Sequence, residues 1–542
     1  MRRSRLISAA TAAALSFGVT VAATATTAQA ATPATAASTD QSAVDALHAA
    51  EALFAPTATP FDSSGSAGAG SALKPDPTTT LAALAHVVGQ LSGADRRTAR
   101  AILARPTDGS SDPYHFGWSK SEIKAGHATC GPDLCVHWTD AVGGADDPRA
   151  ADVRDADLTR GAGNGIPDQV DYTLHEMEHV WATEVTSYGY NAPKADNKGE
   201  NLPDSNTDLP KIDIYLADVG AAGYYGFCAP EQNRRQSFGF CVLDNDYAPR
   251  EFGHANTPLD NLRVTAAHEF FHDVQFNYDS AEDAWFMEAT AAWMEDEVYP
   301  TVNDNLQYLK DSPFHYSYQS LDLRDRGYLS TYGSWVFFRF LSERYGRAIV
   351  RTAWQDAVGP DVYSLRAVER ALKTHHTDLA TQFADFSAAN RAPKSFYLDG
   401  GLYARYVRRP VLTERLGGAK QTTKWLVTSR MKHLTSMTLG LVPVKARGHL
   451  EIEIVGPAAA TRPAARLVIH KKNGSAVVQR VRLVRGEATV RAVFGHASIA
   501  RVDVVLVNAS DRTTCHRGTR WSCGGVPTDD SSVFHLRATK VA

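Results

Sequence analysis

The sequence predicts an α+β fold followed by an all-β domain. Three observations carry this expectation. Between Pro258 and Phe386, apolar residues recur at helical spacing, and only a few short strand-like runs precede them. From about Thr422 the pattern changes to β-branched runs bounded by Gly, Pro and Asn. A chain of 542 residues is also too long for one core, so two or three domains are expected.

Composition removes several function classes. The chain is 44% hydrophobic and 21% charged, ordinary for a globular protein, with a net charge of -4. No basic stripe marks a nucleic-acid partner. Residues 1–30 read as a secretory signal peptide. They hold a basic Met1 to Arg5, an apolar Leu6 to Val21 and an Ala28-Gln29-Ala30 cleavage pattern. No later run of 18 apolar residues occurs, so no stable membrane insertion is expected and the protein is placed outside the cell. Nothing in the pattern sets an oligomeric state.

The six cysteines lie in three local pairs, Cys130/Cys135, Cys228/Cys241 and Cys515/Cys523. Nearest-neighbour disulfides are predicted, since each pair encloses a short polar or Gly- and Pro-containing loop. A cysteine-ligated zinc site is disfavoured by secretion and by the lack of a C-x-x-C.

In chain order, residues 31–77 are rich in Ala, Thr, Ser, Gly and Pro and are expected to be disordered. Residues 78–105 show helical spacing through Leu81, Leu84, Val87, Val88 and Leu91, as an N-terminal helical segment or a pro-segment. Residues 106–412 form the main domain. Its strands are expected at Leu134 to Thr139, Lys211 to Leu216 and Phe240 to Leu243, with a helix from Val170 to Tyr188. Tyr328 to Tyr345 reads as one long aromatic helix, and Ile349 to Phe386 continues the helical part. Residues 422–542 read as a β-sandwich, with runs at Leu450 to Val455, Ala465 to His470 and Ile499 to Val507.

The chemistry centres on Val264 to Glu297. His268-Glu269-Phe270-Phe271-His272 is an H-E-x-x-H motif. On a helix, His268 and His272 share one face and can grip one metal ion, while Glu269 reaches the adjacent water. The five-residue motif alone is weak evidence, because His175-Glu176-Met177-Glu178-His179 repeats it. Three features select the second copy. Thr257-Pro258-Leu259-Asp260 caps its helix. Its apolar lead-in and Phe270-Phe271 bury it, as a catalytic zinc requires. Ser280-Ala281-Glu282-Asp283 then reads as a capping box opening a second helix, on which Glu288 lies among Trp285, Phe286 and Met287. Catalytic zinc takes three protein ligands, and Glu288 is the third candidate, with Glu282, Asp283 and Glu295 as rivals.

This stretch, with Glu288-x-x-Ala291-x-x-x-Glu295 downstream, resembles the gluzincin group of zinc metallopeptidases. The layout of signal peptide, motif and β-domain also resembles a group of secreted bacterial metalloproteases. The resemblance implies a zincin-like core of a small mixed sheet and an H-E-x-x-H helix. It implies His268, His272 and Glu288 as ligands of Zn2+, and Glu269 as general base. Three features depart from the pattern. Only residues 273–287 separate His272 from Glu288, Asp273 stands where an uncharged residue is usual, and Ala292 replaces a supporting carboxylate, for which Glu295 is the candidate.

Amide hydrolysis also needs an oxyanion donor; Tyr332 is the candidate, with Tyr328 and His315 as alternatives. A possible Ca2+ loop holds Asp155, Asp157, Asn164 and Asp168 around Gly163-Asn164-Gly165. Its alternative reading is a polar turn that caps the next helix. The function expected is a secreted zinc endopeptidase acting on protein or peptide substrates. The rival is a secreted binding or adhesion protein whose peptidase-like core is inactive and whose β-sandwich binds. An aminopeptidase is disfavoured, because no G-x-M-E-N anchor for a substrate N-terminus occurs.

Overall fold

The structure is a computed structural model that describes residues 36–54, 74–108, 118, 120–139, 164–194, 211–324, 329–359, 362–418, 421–428 and 430–541. The expected signal peptide lies outside these residues.

The N-terminal part contains α1 (Ala36–Phe54), α2 (Thr78–Val87), α3 (Gly93–Ile102) and α4 (Lys120–Lys124). Residues 36–54 were expected to be disordered, and the structure corrects this. Their small residues make a helix that buries Ala43, Leu47 and Ala50 beside Leu81 and Leu84. Ala is the best helix former, so an Ala-rich stretch needs only one apolar stripe and a partner to order it.

Then come β1 (Gly126–Cys130), β2 (Leu134–Thr139), α5 (Asp168–Trp181), β3 (Ile212–Ala217), β4 (Gly226–Pro230) and β5 (Gly239–Asp244). They form one mixed sheet in the order β1-β2-β3-β5-β4. β2, β3 and β5 are parallel, and the flanking strands run antiparallel. Side chains alternate across a strand. Ile212, Ile214, Leu216, Cys241 and Leu243 therefore enter the main core. Tyr215, Ala217, Phe240 and Val242 face the opposite side and pack with α1–α3. Cys130–Cys135 and Cys228–Cys241 are disulfides joining the two antiparallel pairs, and Cys515–Cys523 closes the third loop.

Next come α6 (Pro249–Phe252), α7 (Pro258–Asp279) and α8 (Ala284–Val298). Thr257 Oγ1 accepts from the Asp260 amide at 3.1 Å and starts α7 as expected. That helix is buried all round, with Leu262, Ala266, Phe270, Phe271 and Val274 fully enclosed. The predicted capping box does not form. Ser280 ends α7 instead and donates to the carbonyls of Arg234 and Arg235 at 3.0 and 3.1 Å.

The helical part continues through α9 (Ser330–Gly333), α10 (Trp335–Tyr345), α11 (Ala348–Asp356), α12 (Ser364–Lys373) and α13 (Leu379–Ala389). The single aromatic helix expected here is broken at Ser334. A Cβ on Gly333 would lie 2.8 Å from the backbone of Ser312, so only glycine admits that close approach.

The C-terminal region is β-rich. Its strands are β6 (Leu412–Leu416), β7 (Leu426–Val427), β8 (Thr435–Pro443), β9 (His449–Val455), β10 (Pro463–Lys471), β11 (Ala476–Val481), β12 (Glu487–Val493), β13 (Ile499–Asn508), β14 (Thr513–Thr514), β15 (Val526–Pro527) and β16 (His535–Val541). Two sheets, ordered β11-β10-β13-β8-β6 and β12-β9-β16-β7, pack around Leu441, Ile452, Leu467, Val504 and Leu536. β6 pairs with β8, so Leu412–Leu416 belongs to the first of these sheets. The first of these sheets is apolar on both faces, and Val468, Val505 and Val507 join the main core. Among the described residues, no helix is long and apolar enough to cross a membrane.

His433 ties this region to the helical part. It lies 2.9 Å from Asp322 and 2.5 Å from Asp530, and is 2% exposed. Burial lowers its pKa, but Asp322 and then Asp530 outweigh that and raise it to about 9. Stability from a raised histidine is complete below its unfolded pKa and disappears as pH rises through the folded value. The window is therefore between about pH 6.5 and 9, with on the order of 3 kcal/mol at stake. Wild-type protein should lose more of its thermal midpoint between pH 6 and 10 than His433→Gln; parallel pH profiles would remove the ion pair from this account.

Candidate metal centre

α7 and α8 pack side by side, and their spacing sets the site. His268 and His272 lie one turn apart on α7. Glu288 and Glu295 lie seven residues apart on α8, hence on one face of that helix. His268 Nε2 is 3.4 Å from Glu288 Oε2, and His272 Nε2 is 3.6 Å from the same atom. A fourth group arrives from the N-terminal part. Asp76 Oδ2 lies 3.3 Å from His272 Nε2 and 3.8 Å from His268 Nε2. The four atoms lie within 4.8 Å of one another, and each is buried without a hydrogen-bond partner among the described residues. Ligand atoms around a tetrahedral metal with bonds of about 2.0–2.1 Å sit roughly 3.3–3.5 Å apart. The spacing and the mixed nitrogen and oxygen donors therefore fit a zinc ion.

The opposite ring nitrogens are fixed. His268 Nδ1 meets Glu295 Oε1 at 2.7 Å, and His272 Nδ1 meets Gln275 Oε1 at 2.8 Å. The Gln275 amide nitrogen donates to the Met287 carbonyl and Thr290 Oγ1, so its oxygen faces the ring. Carboxylate and amide oxygens only accept, so both Nδ1 atoms carry the proton and both Nε2 lone pairs point at the shared centre. Ala292 sits in the core; Glu295, three residues on, presents the carboxylate to His268.

The buried groups of the cluster set one another's proton affinity. Burial alone raises Glu288, yet His268 and His272 pull it down to about 2. Burial lowers His272, yet Asp76 and Glu288 raise it to about 10. His268 is likewise raised well above the usual range by Glu288 and Glu295 against its burial. Burial, then Asp76, pushes Glu269 well up. Asp273 is raised to about 8 by burial, then Glu231 and Asp213, so this unexpected acid is mostly neutral at pH 7.

Glu269 lines a cavity of about 50 Å³ with His268, Tyr225, Gly226 and Tyr332. Thr78 Oγ1 approaches its Oε2 at 3.4 Å. Tyr332 stacks on the His268 ring at 5.7 Å, and its hydroxyl accepts from the Asp76 amide at 2.8 Å. Tyr328 lies outside the described residues, and His315 packs on Tyr316. Of the rival ligands, Glu282 accepts from the Ser364 amide and Asp283 from the Cys523 amide. In the other H-E-x-x-H, Glu176 pairs with Arg263 and accepts from the Tyr299 hydroxyl. Asn164 forms a turn, accepting from the Ile166 amide and donating to Asp171, just before α5 begins at Asp168. Asp155 and Asp157, the other calcium candidates, lie outside the described residues.

Sequence reading missed Asp76 and Gln275. Gln275 had a signal, being three residues after His272 on one helix. Asp76 had none, because its segment was expected to be disordered.

If the Nδ1 partners set ligand basicity, Glu295→Ala and Gln275→Ala should each weaken zinc binding about 10–100-fold, and His268→Ala more than either. Competition against a chromophoric chelator measures this; unchanged affinity in both partner variants would contradict it.

A family model described as "Family of unknown function (DUF6055)" matches residues 110–395. No curated protein matches the chain. Among solved structures, the pre-peptidase C-terminal domain of a collagenase from Bacillus anthracis is similar at 10% identity over 24% of this chain and 98% of that one, with a TM-score of 0.15. A family GH115 4-O-methyl-α-glucuronidase with specificity for decorated arabinogalactans is similar at 9% identity over 56% of this chain and 46% of that one, with a TM-score of 0.13. At such scores neither likeness bears on fold or activity.

Proposed function

We propose, for a chain that belongs to the DUF6055 family of unknown function, a zinc-dependent endopeptidase activity on protein or peptide substrates outside the cell. One observation carries the reading. Buried Nε2 atoms of His268 and His272 and the Glu288 carboxylate converge without partners, beside a buried Glu269. The three disulfides are consistent with an oxidising destination. The core is read as zincin-like on the same grounds, a mixed sheet beside the helix that carries both histidines.

Zinc, when bound there, supplies a Lewis acid that acidifies water and polarises the scissile carbonyl. The remaining work belongs to the side chains. Glu269 lines the cavity next to His268 and takes the proton of the attacking water, then returns it to the leaving amine. Tyr332, stacked on His268, offers its hydroxyl to the oxygen that gains charge. Glu295 and Gln275 keep the imidazoles in the tautomer that leaves Nε2 bare. The aromatic walls of α7 and α8 keep bulk water out, so these charges act at low dielectric.

A second reading rests on Asp76. With it the donor set numbers four, the count of a closed structural zinc site. The protein would then be a binding or adhesion protein whose metal only holds the fold.

Glu269→Gln separates the two. It should retain about one zinc per chain and lower peptide hydrolysis about 10²–10⁴-fold. The comparison should be run in the wild-type and Asp76→Ala backgrounds, on an unfolded protein substrate. Equal cleavage with and without Glu269 in both backgrounds would overturn the peptidase reading.

A further inference from the structure

The Lys74–Thr78 arm meets every group that the proposed chemistry needs. Asp76 Oδ2 fills the fourth position around the ligand atoms, 3.3 Å from His272 Nε2. Its Oδ1 accepts from the Thr78 amide at 2.6 Å, which leaves one oxygen for the centre. The Asp76 amide donates to the Tyr332 hydroxyl at 2.8 Å. Thr78 Oγ1 accepts from the Cys228 amide at 2.8 Å and reaches Glu269 Oε2 at 3.4 Å. Cys228 lies on β4, the edge strand of the sheet, and an edge amide is what an extended peptide would pair with. The space beside His268 and Glu269 is about 50 Å³, and the larger cavity that borders Asp76, Glu288 and Tyr332, about 340 Å³, is lined by the arm itself from Lys74 to Thr80.

We propose that Asp76 is an internal plug: it occupies the metal's open position and holds the enzyme latent until residues 76–78 leave the cleft. This rests on the zinc reading above and adds regulation to the same site. A three-residue donor set with one position for water is catalytic; the same set with Asp76 is closed. The arm is also well seated. Thr78 is fully buried, and α2 behind it buries Leu81 and Leu84 against the sheet. Lys74 and Pro75 ahead of it are partly exposed, while the Asp76 side chain is 8% exposed. The closed state is therefore the resting state, and opening it means lifting the arm and fraying the first turn of α2.

The test uses the full chain loaded with Co2+ or Zn2+, with acetohydroxamate as the metal-directed probe. Wild-type protein should hold one metal per chain, and its cobalt absorption should not change with hydroxamate. Asp76→Ala should keep the metal, shift its cobalt spectrum on adding hydroxamate, and hydrolyse peptide about 10-fold faster or more, as expected when a minor open state becomes dominant. Asp76→Asn, which preserves shape, should fall between the two and guards against a folding defect. If hydroxamate perturbs the wild type as strongly as Asp76→Ala, the plug is wrong and the peptidase reading stands. If Asp76→Ala loses the metal, Asp76 is a structural ligand and the plug is wrong. If Asp76→Ala opens to hydroxamate without hydrolysing peptide, the plug stands and the peptidase reading fails. If wild-type protein binds no metal, both fail.

Discussion

Four acceptor atoms aimed at one buried point repel one another unless a cation stands among them. Asp76, His268, His272 and Glu288 are held in that arrangement by the α7–α8 pair, and much of the surrounding structure keeps it rigid. Phe286 stacks on Trp354 with ring centroids 4.4 Å apart, and Trp285 stacks on Phe338 at 5.9 Å. The Trp293 and Trp354 indoles donate to Ser342 and Thr290. Large aromatic residues with satisfied N–H groups cannot slide without losing both packing and hydrogen bonds. The two helices therefore hold their charged groups in a dry, fixed frame.

The cover of the site follows from a second constraint. The mixed sheet has two apolar faces, and α7 with its neighbours can bury only one. Tyr215, Phe227, Phe240 and Val242 on the other face need a partner, and α1–α3 supply it. Arg105 completes the attachment through Glu231 and Asp213 at 2.7 Å each. The chain that covers the sheet thus enters beside His268, His272 and Glu288, and Asp76 arrives with it. Core formation and closure of the site are one packing event.

The β-rich region also takes part. Its Cys515–Cys523 loop reaches the start of α8, where the Cys523 amide donates to Asp283 and Ser522 meets the Trp285 indole. Arg466 pairs with Asp385 at 2.6 Å across the same boundary. The loop contacts brace the helix that bears Glu288, and the Arg466 pair ties this region to α13.

The sequence alone carried much of what local spacing sets, though the capping box expected at Ser280 does not form. The i, i+4 histidines, the Thr257 cap, the period-two strands and the three short-range cysteine pairs depend on neighbours a few residues apart, where periodicity is enough. Glu288 was within reach for the same reason, since a helical hairpin returns the chain to the face that carries both histidines. Gln275 lay on the same face of the same helix and was overlooked. Tertiary structure decided the rest. The helix breaks at Ser334, beside the close passage of Ser312 past Gly333. α1 is ordered only because a sheet face far along the chain needs covering. Asp76 meets His272 only because that cover ends beside the α7 histidines. Local pattern records which face a residue turns; which distant surface meets that face depends on how the whole core closes.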